Sequence, residues 1–330
     1  MLLKLAAACV VGALAAPTRP RPARPAPTYQ HEASPTHTLA SIRNMTCAGS
    51  ACSILAATDG GPAVVPLRLS FFDPFTVRYW LAIDGNFSDT GAAADVIVGK
   101  GSPVALALND AGAYYEVTQS PAPSPNVVVR LQKAPCQLTI LVDGAPVVQE
   151  AAPLSWNTST SWNTLARDAA PLAPGLTAEW FFGGGMQNGR FSHRDESITI
   201  AVDYNWDDGG HPNSVPWYVS SAGYGVFRNT WAPGAYAFTA PVLAAHNESN
   251  RFDAFFMLSG PGPRALQTLL GLYTALTGPP FLPPLYGLFL GDSDCYHNER
   301  HGNSTRVAIA VARMYVENDM PHGWMLPNDG

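Results

Sequence analysis

Between about Val65 and Val202 the apolar residues fall in short alternating or β-branched runs. Leu67, Leu69 and Phe71 form one; Val96-Ile97-Val98, Val127-Val128-Val129, the series Leu138, Ile140, Val142 and the series Ile198, Ile200, Val202 form others. A period of two puts successive side chains on opposite faces of a strand, which a helix cannot satisfy. Turn formers separate the runs, as in Ile83-Asp84-Gly85-Asn86 and Val142-Asp143-Gly144-Ala145, where Asp, Asn and Gly accept backbone angles that β-branched residues resist. Strand patterns continue through Trp217-Tyr218-Val219, Tyr224 to Phe227, and the series Phe252, Ala254, Phe256. The expectation is an antiparallel β-sandwich covering well over half of the chain.

Composition agrees. Of 330 residues 47% are hydrophobic and 13% charged, with 30 Pro and 29 Gly; a soluble domain averages about 25% charged residues. A core can form, disorder is excluded, and long charged helices or coiled coils are excluded as well. With 19 Lys and Arg against 25 Asp and Glu, net charge -6, no basic field exists for a nucleic-acid backbone.

After Pro263 the period changes. Leu266, Leu269, Leu270, Tyr273 and Leu276 recur at helical spacing, closed by Gly278-Pro279-Pro280. Leu285 to Leu290 reads as a short strand, Thr305 to Asn318 as a helix with Val307, Val311, Met314 and Tyr315 on one face, and Gly323 to Leu326 as another strand. Strand, helix, strand predicts a βαβ unit with parallel strands. Only 48 residues run from Pro283 to Gly330, against roughly 250 for a full (β/α)8 barrel, so the chain reads as a fragment. The expected division is a signal peptide at 1-16, a Pro-rich linker at 17-35, the sandwich at 36-278 and a first barrel segment at 279-330.

The signal reading rests on Lys4, the small and apolar run Leu5 to Ala16, and the small-x-small pattern Ala13-Leu14-Ala15. The run is too short to span about 30 Å of hydrocarbon, and no later stretch qualifies. The expected location is secreted or the lumen of the endomembrane system. Cys47, Cys52, Cys136 and Cys295 remain after cleavage; they allow three disulfide connectivities, or free buried thiols. Five acceptor triplets for N-glycosylation begin at Asn44, Asn86, Asn157, Asn247 and Asn303.

Two segments concentrate unusual residues. Trp180-Phe181-Phe182-Gly183-Gly184-Gly185-Met186-Gln187 lacks the spacing of a dinucleotide fingerprint and reads as a glycine turn allowing close backbone approach. Tyr204-Asn205-Trp206-Asp207-Asp208-Gly209-Gly210-His211 combines carboxylates with an indole, the mixture that sugar hydroxyls and a sugar's C-H face require; a solvated loop has the same composition. Asp292 and Asp294, then Asn328 and Asp329, follow the two predicted parallel strands, where barrels place active sites. His297-Asn298-Glu299-Arg300-His301 matches neither zinc-helix pattern, and no Gly-x-Ser-x-Gly occurs. No cofactor is implied.

From about Trp180 to Gly330 the chain resembles glycoside hydrolase family 31, the α-glucosidase-like enzymes. Phe182 to Gln187, Tyr204 to Asp207, Val215 to Val226 and Pro283 to Gly291 are similar to successive motifs of that family. The resemblance implies a mainly β fold, a galactose-mutarotase-like sandwich followed by the truncated start of a (β/α)8 barrel, with an oligosaccharide or glycan as substrate. It implies Asp207 as a loop carboxylate touching sugar hydroxyls and Asp329 as a ligand of the non-reducing ring. Trp206 stands where the family usually has a small residue, and Pro327 to Gly330 replaces the commoner strand end. These departures point to lyase or transferase variants beside plain hydrolysis; a non-catalytic carbohydrate-binding protein is the remaining alternative. The nucleophile and acid/base implied by the family match no residue of this chain and are expected beyond Gly330.

Overall fold

A computed structural model describes residues 34–88, 95–187, 190–202, 213–248, 251–293 and 305–326. The chain divides into two compact units, with the boundary between Gly278 and Pro279.

The first unit is a β-sandwich. Its opening strands are β1 (His37–Ala48), β2 (Ala51–Asp59), β3 (Val64–Asp73) and β4 (Thr76–Ala82). A meander follows of β5 (Ala105–Asp110), β6 (Tyr114–Ser120), β7 (Val127–Lys133), β8 (Cys136–Val142) and β9 (Ala145–Trp156). Then come β10 (Ser161–Leu165), β11 (Phe181–Met186), β12 (Ser197–Ile200), β13 (Asn213–Ser220), β14 (Tyr224–Arg228), β15 (Gly234–Ala237), β16 (Val242–His246) and β17 (Arg251–Leu258).

All pairings in this unit are antiparallel. One layer runs β11-β13-β14-β17-β4-β3-β2-β1, the other β12-β15-β16-β10-β9-β8-β7-β6-β5. Strand β1 joins them, pairing along its length with β2 and at His37 and Thr38 with the end of β9. The alternation seen in sequence fills the space between: Leu67, Leu69, Phe71, Tyr79, Phe252 and Phe256 from one layer meet Val129, Leu138, Ile140, Tyr236 and Val242 from the other in one buried cluster. At about 25 cal/mol per Å² this apolar burial is the main term favouring the fold.

The outer face of the first layer carries a second, smaller core. Helix α1 (Ala265–Thr277) lays Leu269 and Leu276 on Val219, Phe227, Phe255 and Met257, while Tyr273 stacks on Trp217 with ring centroids 4.3 Å apart. Leu266 and Leu270, on the predicted apolar stripe, are exposed. The same face buries Asp253, which takes two hydrogen bonds from Arg78 at 2.9 and 2.7 Å, one from Asn229 at 2.7 Å and one from Arg251 at 3.3 Å.

Two predicted strands are corrected. Val96-Ile97-Val98 is not a strand: the backbone N–H groups of Val98 and Gly99 both donate to Leu276 O, and Val96 and Ile97 pack with α1. Leu285 to Leu290 is not one either. Leu285–Leu288 form a 3-10 turn after the extended Pro284, closed by Gly287 N to Pro284 O and Phe289 N to Tyr286 O. The strand lies just beyond, as β18 (Gly291–Ser293).

The second unit continues with helix α2 (Thr305–Glu317) and β19 (Trp324–Leu326). β18 and β19 pair in parallel, Gly291 opposite Trp324 and Ser293 opposite Leu326, which is the predicted βαβ order. Cys47 and Cys52, opposite each other in β1 and β2, form a disulfide, and Cys136 is free and buried. Among the described residues no helix is long and apolar enough to cross a membrane. The proposed signal segment, Cys295 and Asn303 lie outside the described residues.

Candidate functional site

The three glycines after the aromatic strand have a defined task. In β11 Phe182 pairs with Val219, Gly183 with Tyr218, Gly185 with Ser214 and Met186 with Asn213, with a register shift between Gly183 and Gly185. The shift places Gly183, Gly184 and Gly185 at φ of +116°, +78° and +79°, a region that side chains with a Cβ resist. Space forbids a Cβ too. At Gly183 it would sit 2.6 Å from Trp217 O; at Gly184 it would strike Ile198 Cδ1, and at Gly185 Asn213 O. The turn is a structural device that brings β11 against the start of β13.

Hydrogen bonds pin it. Gln187 Nε2 donates to Gly184 O at 2.9 Å and Thr199 O at 3.0 Å, tying β11 to β12. The buried His193 donates from Nε2 to Gly183 O at 2.9 Å and stacks on Phe238. The pinned turn thereby holds both the end of β12 at Ile200 and the start of β13 at Asn213, the strand ends that flank residues 203–212. The start of β13 is tied further by Asn213 Nδ2, which donates to Met186 Sδ.

Behind the turn lies a buried polar brace. Glu179 is 1% exposed; Ser220 Oγ donates to its Oε1 at 2.5 Å and Asp168 N to its Oε2 at 2.7 Å. Asp168 Oδ1 accepts from Glu179 N at 2.8 Å, and Arg194 forks onto Asp168 at 2.9 and 2.8 Å. The Arg194 hydrogen bond holds the Asp168 carboxyl below the usual carboxylate range. Burial pushes the hydroxyls of the adjacent Tyr218 and Tyr224 upward, so both stay neutral. This brace orients β11 and β13; its acids are committed to backbone N–H groups, the Ser220 hydroxyl and the guanidinium groups of Arg194 and Arg167.

Aromatic and apolar side chains are exposed on the outside of the turn. Phe191 is 89% exposed and Met186 59%, and the Phe191 ring lies 5.5 Å from that of Phe182. Sequence reasoning missed Phe191 and the Glu179 brace. Neither sits in a periodic run, and the brace joins positions 168, 179, 194 and 220, which only the sheet brings together.

The residues predicted to touch sugar, Trp206, Asp207 and Asp329, lie outside the described residues, as do Asp294, Asn328 and the segment His297 to His301. For Asp207 the structure describes only the flanking strands, β12 and β13. For Asp329 it shows that β18 and β19 end side by side, at Ser293 and Leu326. Among the described residues no three His, Cys, Asp or Glu converge as metal ligands.

Residues 66–236 match the family profile of the glycosyl hydrolase 31 N-terminal galactose mutarotase-like domain. The chain belongs to glycosyl hydrolase family 31. The matched stretch runs from within β3 to within β15, with the glycine turn and residues 203–212 inside it. Solved structures with the same fold include a Flavobacterium johnsoniae GH31 dextranase complexed with isomaltotriose (TM-score 0.67, 17% identity, 86% of this chain and 33% of the dextranase). A cycloalternan-forming enzyme from Listeria monocytogenes in complex with a pentasaccharide substrate is similar (TM-score 0.66, 17% identity, 87% and 26%). So is the catalytic subunit of endoplasmic-reticulum glucosidase II (TM-score 0.65, 14% identity, 90% and 40%). At such identities the likeness is one of fold. The family 31 chain thus spans about a quarter to two-fifths of the length of these proteins. No curated protein sequence matches it.

Proposed function

We propose that the protein of which this family 31 chain is part is an exported retaining α-glycosidase acting on α-glucosides or related glycans. The carrying observation is the pinned glycine turn inside the family-matched sandwich, which holds the two strands flanking the segment that contains Trp206 and Asp207. In this reading Asp207 accepts hydrogen bonds from sugar hydroxyls and the Trp206 indole covers an apolar C-H face. Asp329 follows the second strand of the parallel pair and binds the non-reducing ring.

Chemistry of this type needs two carboxyl groups about 5 Å apart, one attacking the anomeric carbon and the other protonating the leaving oxygen, then activating water. Both belong to a barrel that begins with β18, α2 and β19 and continues in the longer protein; the fraction of the dextranase that this chain covers supports that placement. Export is supported by the Lys4 and Leu5 to Ala16 segment and by the Cys47–Cys52 disulfide, a bond favoured in oxidising compartments.

A second reading, transfer of the glycosyl group to another sugar, draws support from the fold shared with a cycloalternan-forming enzyme. The test is the full-length enzyme on maltooligosaccharides and isomaltooligosaccharides, with products followed by proton NMR. Initial release of the α-anomer supports the proposal, and release of the β-anomer overturns retention. Elongated products place the enzyme among transferases, an anhydrosugar among lyases. The chain 1–330 by itself is expected to leave an aryl α-glucoside intact; cleavage by it would overturn the placement of the catalytic pair.

A further inference from the structure

Five acceptor triplets look alike in sequence, and the sandwich separates them. We infer that Asn44, Asn86 and Asn247 carry N-linked glycans while Asn157 stays unmodified, an inference resting on the export reading above. Asn303 lies outside the described residues.

Asn44 is exposed in mid-strand on β1, beside a register shift between Ile42 and Asn44. Its cross-strand partner is Leu55, itself 45% exposed, so the neighbouring strand does not roof it over. Among the described residues its side chain makes no hydrogen bond. Asn86 occupies the exposed turn after β4. Its Oδ1 accepts from Ser88 N at 3.1 Å and its own N–H donates to Asp84 Oδ1 at 3.0 Å, while Nδ2 is uncommitted among the described residues. Asn247 is exposed beyond β16 and held by its backbone, whose N–H donates to Pro233 O at 2.8 Å.

Asn157 is the opposite case. It is 6% exposed in the turn between β9 and β10. Its Oδ1 accepts from Ser159 N at 2.8 Å, Ser159 Oγ at 3.1 Å and Thr160 N at 2.8 Å, and its Nδ2 donates to Ser34 O at 3.4 Å. The side chain does the work of a turn backbone. A sugar on Nδ2 has no room there unless the turn opens and all these bonds are lost.

The reaction is amide glycosylation by a lipid-linked oligosaccharide diphosphate. Asn Nδ2 bonds to the anomeric carbon, the bond from that carbon to the diphosphate oxygen breaks, the diphosphate leaves with the electron pair, and the amide gives up one proton. Nothing is oxidised or reduced. The step requires Nδ2 at the surface, or a chain not yet folded. The β9–β10 turn is local and hairpins close in about 1–10 μs, against about 5–20 residues synthesised per second; Asn157 is therefore withdrawn early.

The full chain is produced in eukaryotic cells twice, once with its own leader and once with a heterologous cleavable leader. Glycans are released enzymatically in oxygen-18 water, which marks each formerly occupied Asn as a labelled Asp, and peptides are mapped. Label at 44, 86 and 247 and none at 157 is the expected result. Label at 157 in soluble protein equal to that at 44, or no label at 44 and 86 in chains whose leader has been cleaved, overturns the inference. Retention in the cytosol with the native leader alone sinks export and leaves the site inference to the heterologous arm.

Discussion

Two carboxylates are buried in the same sandwich under opposite conditions. Asp253, on the outer face of the first layer, is 0% exposed and surrounded by the guanidinium groups of Arg78 and Arg251 and the amide of Asn229. The indole of Trp80 lies under both guanidiniums, at 3.8 and 4.6 Å. Glu150, facing the core from β9, is 3% exposed and among the described residues its carboxylate accepts from neutral donors alone, Leu138 N and Asn163 Nδ2, both at 2.8 Å. Burial raises the Glu150 carboxyl to about 8, the two hydrogen bonds offsetting only part of it. The nearby Cys136 thiol is pushed up to about 12, chiefly by burial and secondarily by Glu150. Two equally buried acids thus differ in the partners that neighbouring strands supply, guanidinium groups for Asp253 and neutral donors for Glu150.

The comparison breaks first at Asp253. Asp253→Ala removes the buried carboxylate that the half-buried guanidiniums of Arg78 and Arg251 share and is expected to cost about 3–5 kcal/mol, read from urea unfolding of the isolated chain; a loss under 1 kcal/mol would show that the cluster is dispensable. Glu150 tests the other side. Its folded value lies above the unfolded 4.5, so its contribution is fully present below about 4.5 and is lost as pH rises toward about 8. Stability is expected to fall by about 1.4 kcal/mol per pH unit across that window, and Glu150→Gln to flatten the slope; an unchanged slope in the variant would assign the pH dependence elsewhere.

Smaller effects sharpen the contrast. Arg78 makes two short bonds to Asp253 and Arg251 one longer bond. Arg78→Met is expected to cost about 2–3 kcal/mol and Arg251→Met about 1 kcal/mol; equal losses would mean that the paired geometry does not matter. Asn163→Ala removes one neutral donor from Glu150, a loss of about 1 kcal/mol together with a higher Glu150 midpoint, observable by titrating the carboxyl with NMR.

Legibility followed the range of the interaction. Leu67, Leu69 and Phe71 announced their strand because period two is local, and all three are buried. Pro263 and Gly278 bracketed α1 for the same reason. Val96 to Val98 and Leu285 to Leu290 misled because β-branched or apolar runs serve equally well as packing against a helix or as a 3-10 turn after prolines. At the site, Gly183 to Gly185 were readable as a turn, but not that Trp217 O, Ile198 and Asn213 O stand where their side chains would be. Nor did anything in the triplets at Asn44 and Asn157 separate an open strand from a closed turn.

What the sequence determined by itself was periodic or chemical in kind: a β-rich first region, a switch to strand, helix, strand, and the motifs shared with family 31. Each depends on residues within a few positions of one another. Strand order, the passage of β1 between two layers, and the opposite settings of Asp253 and Glu150 were decided only by tertiary structure. They depend on groups such as Arg78 and Asp253, 175 residues apart, meeting where water has been excluded.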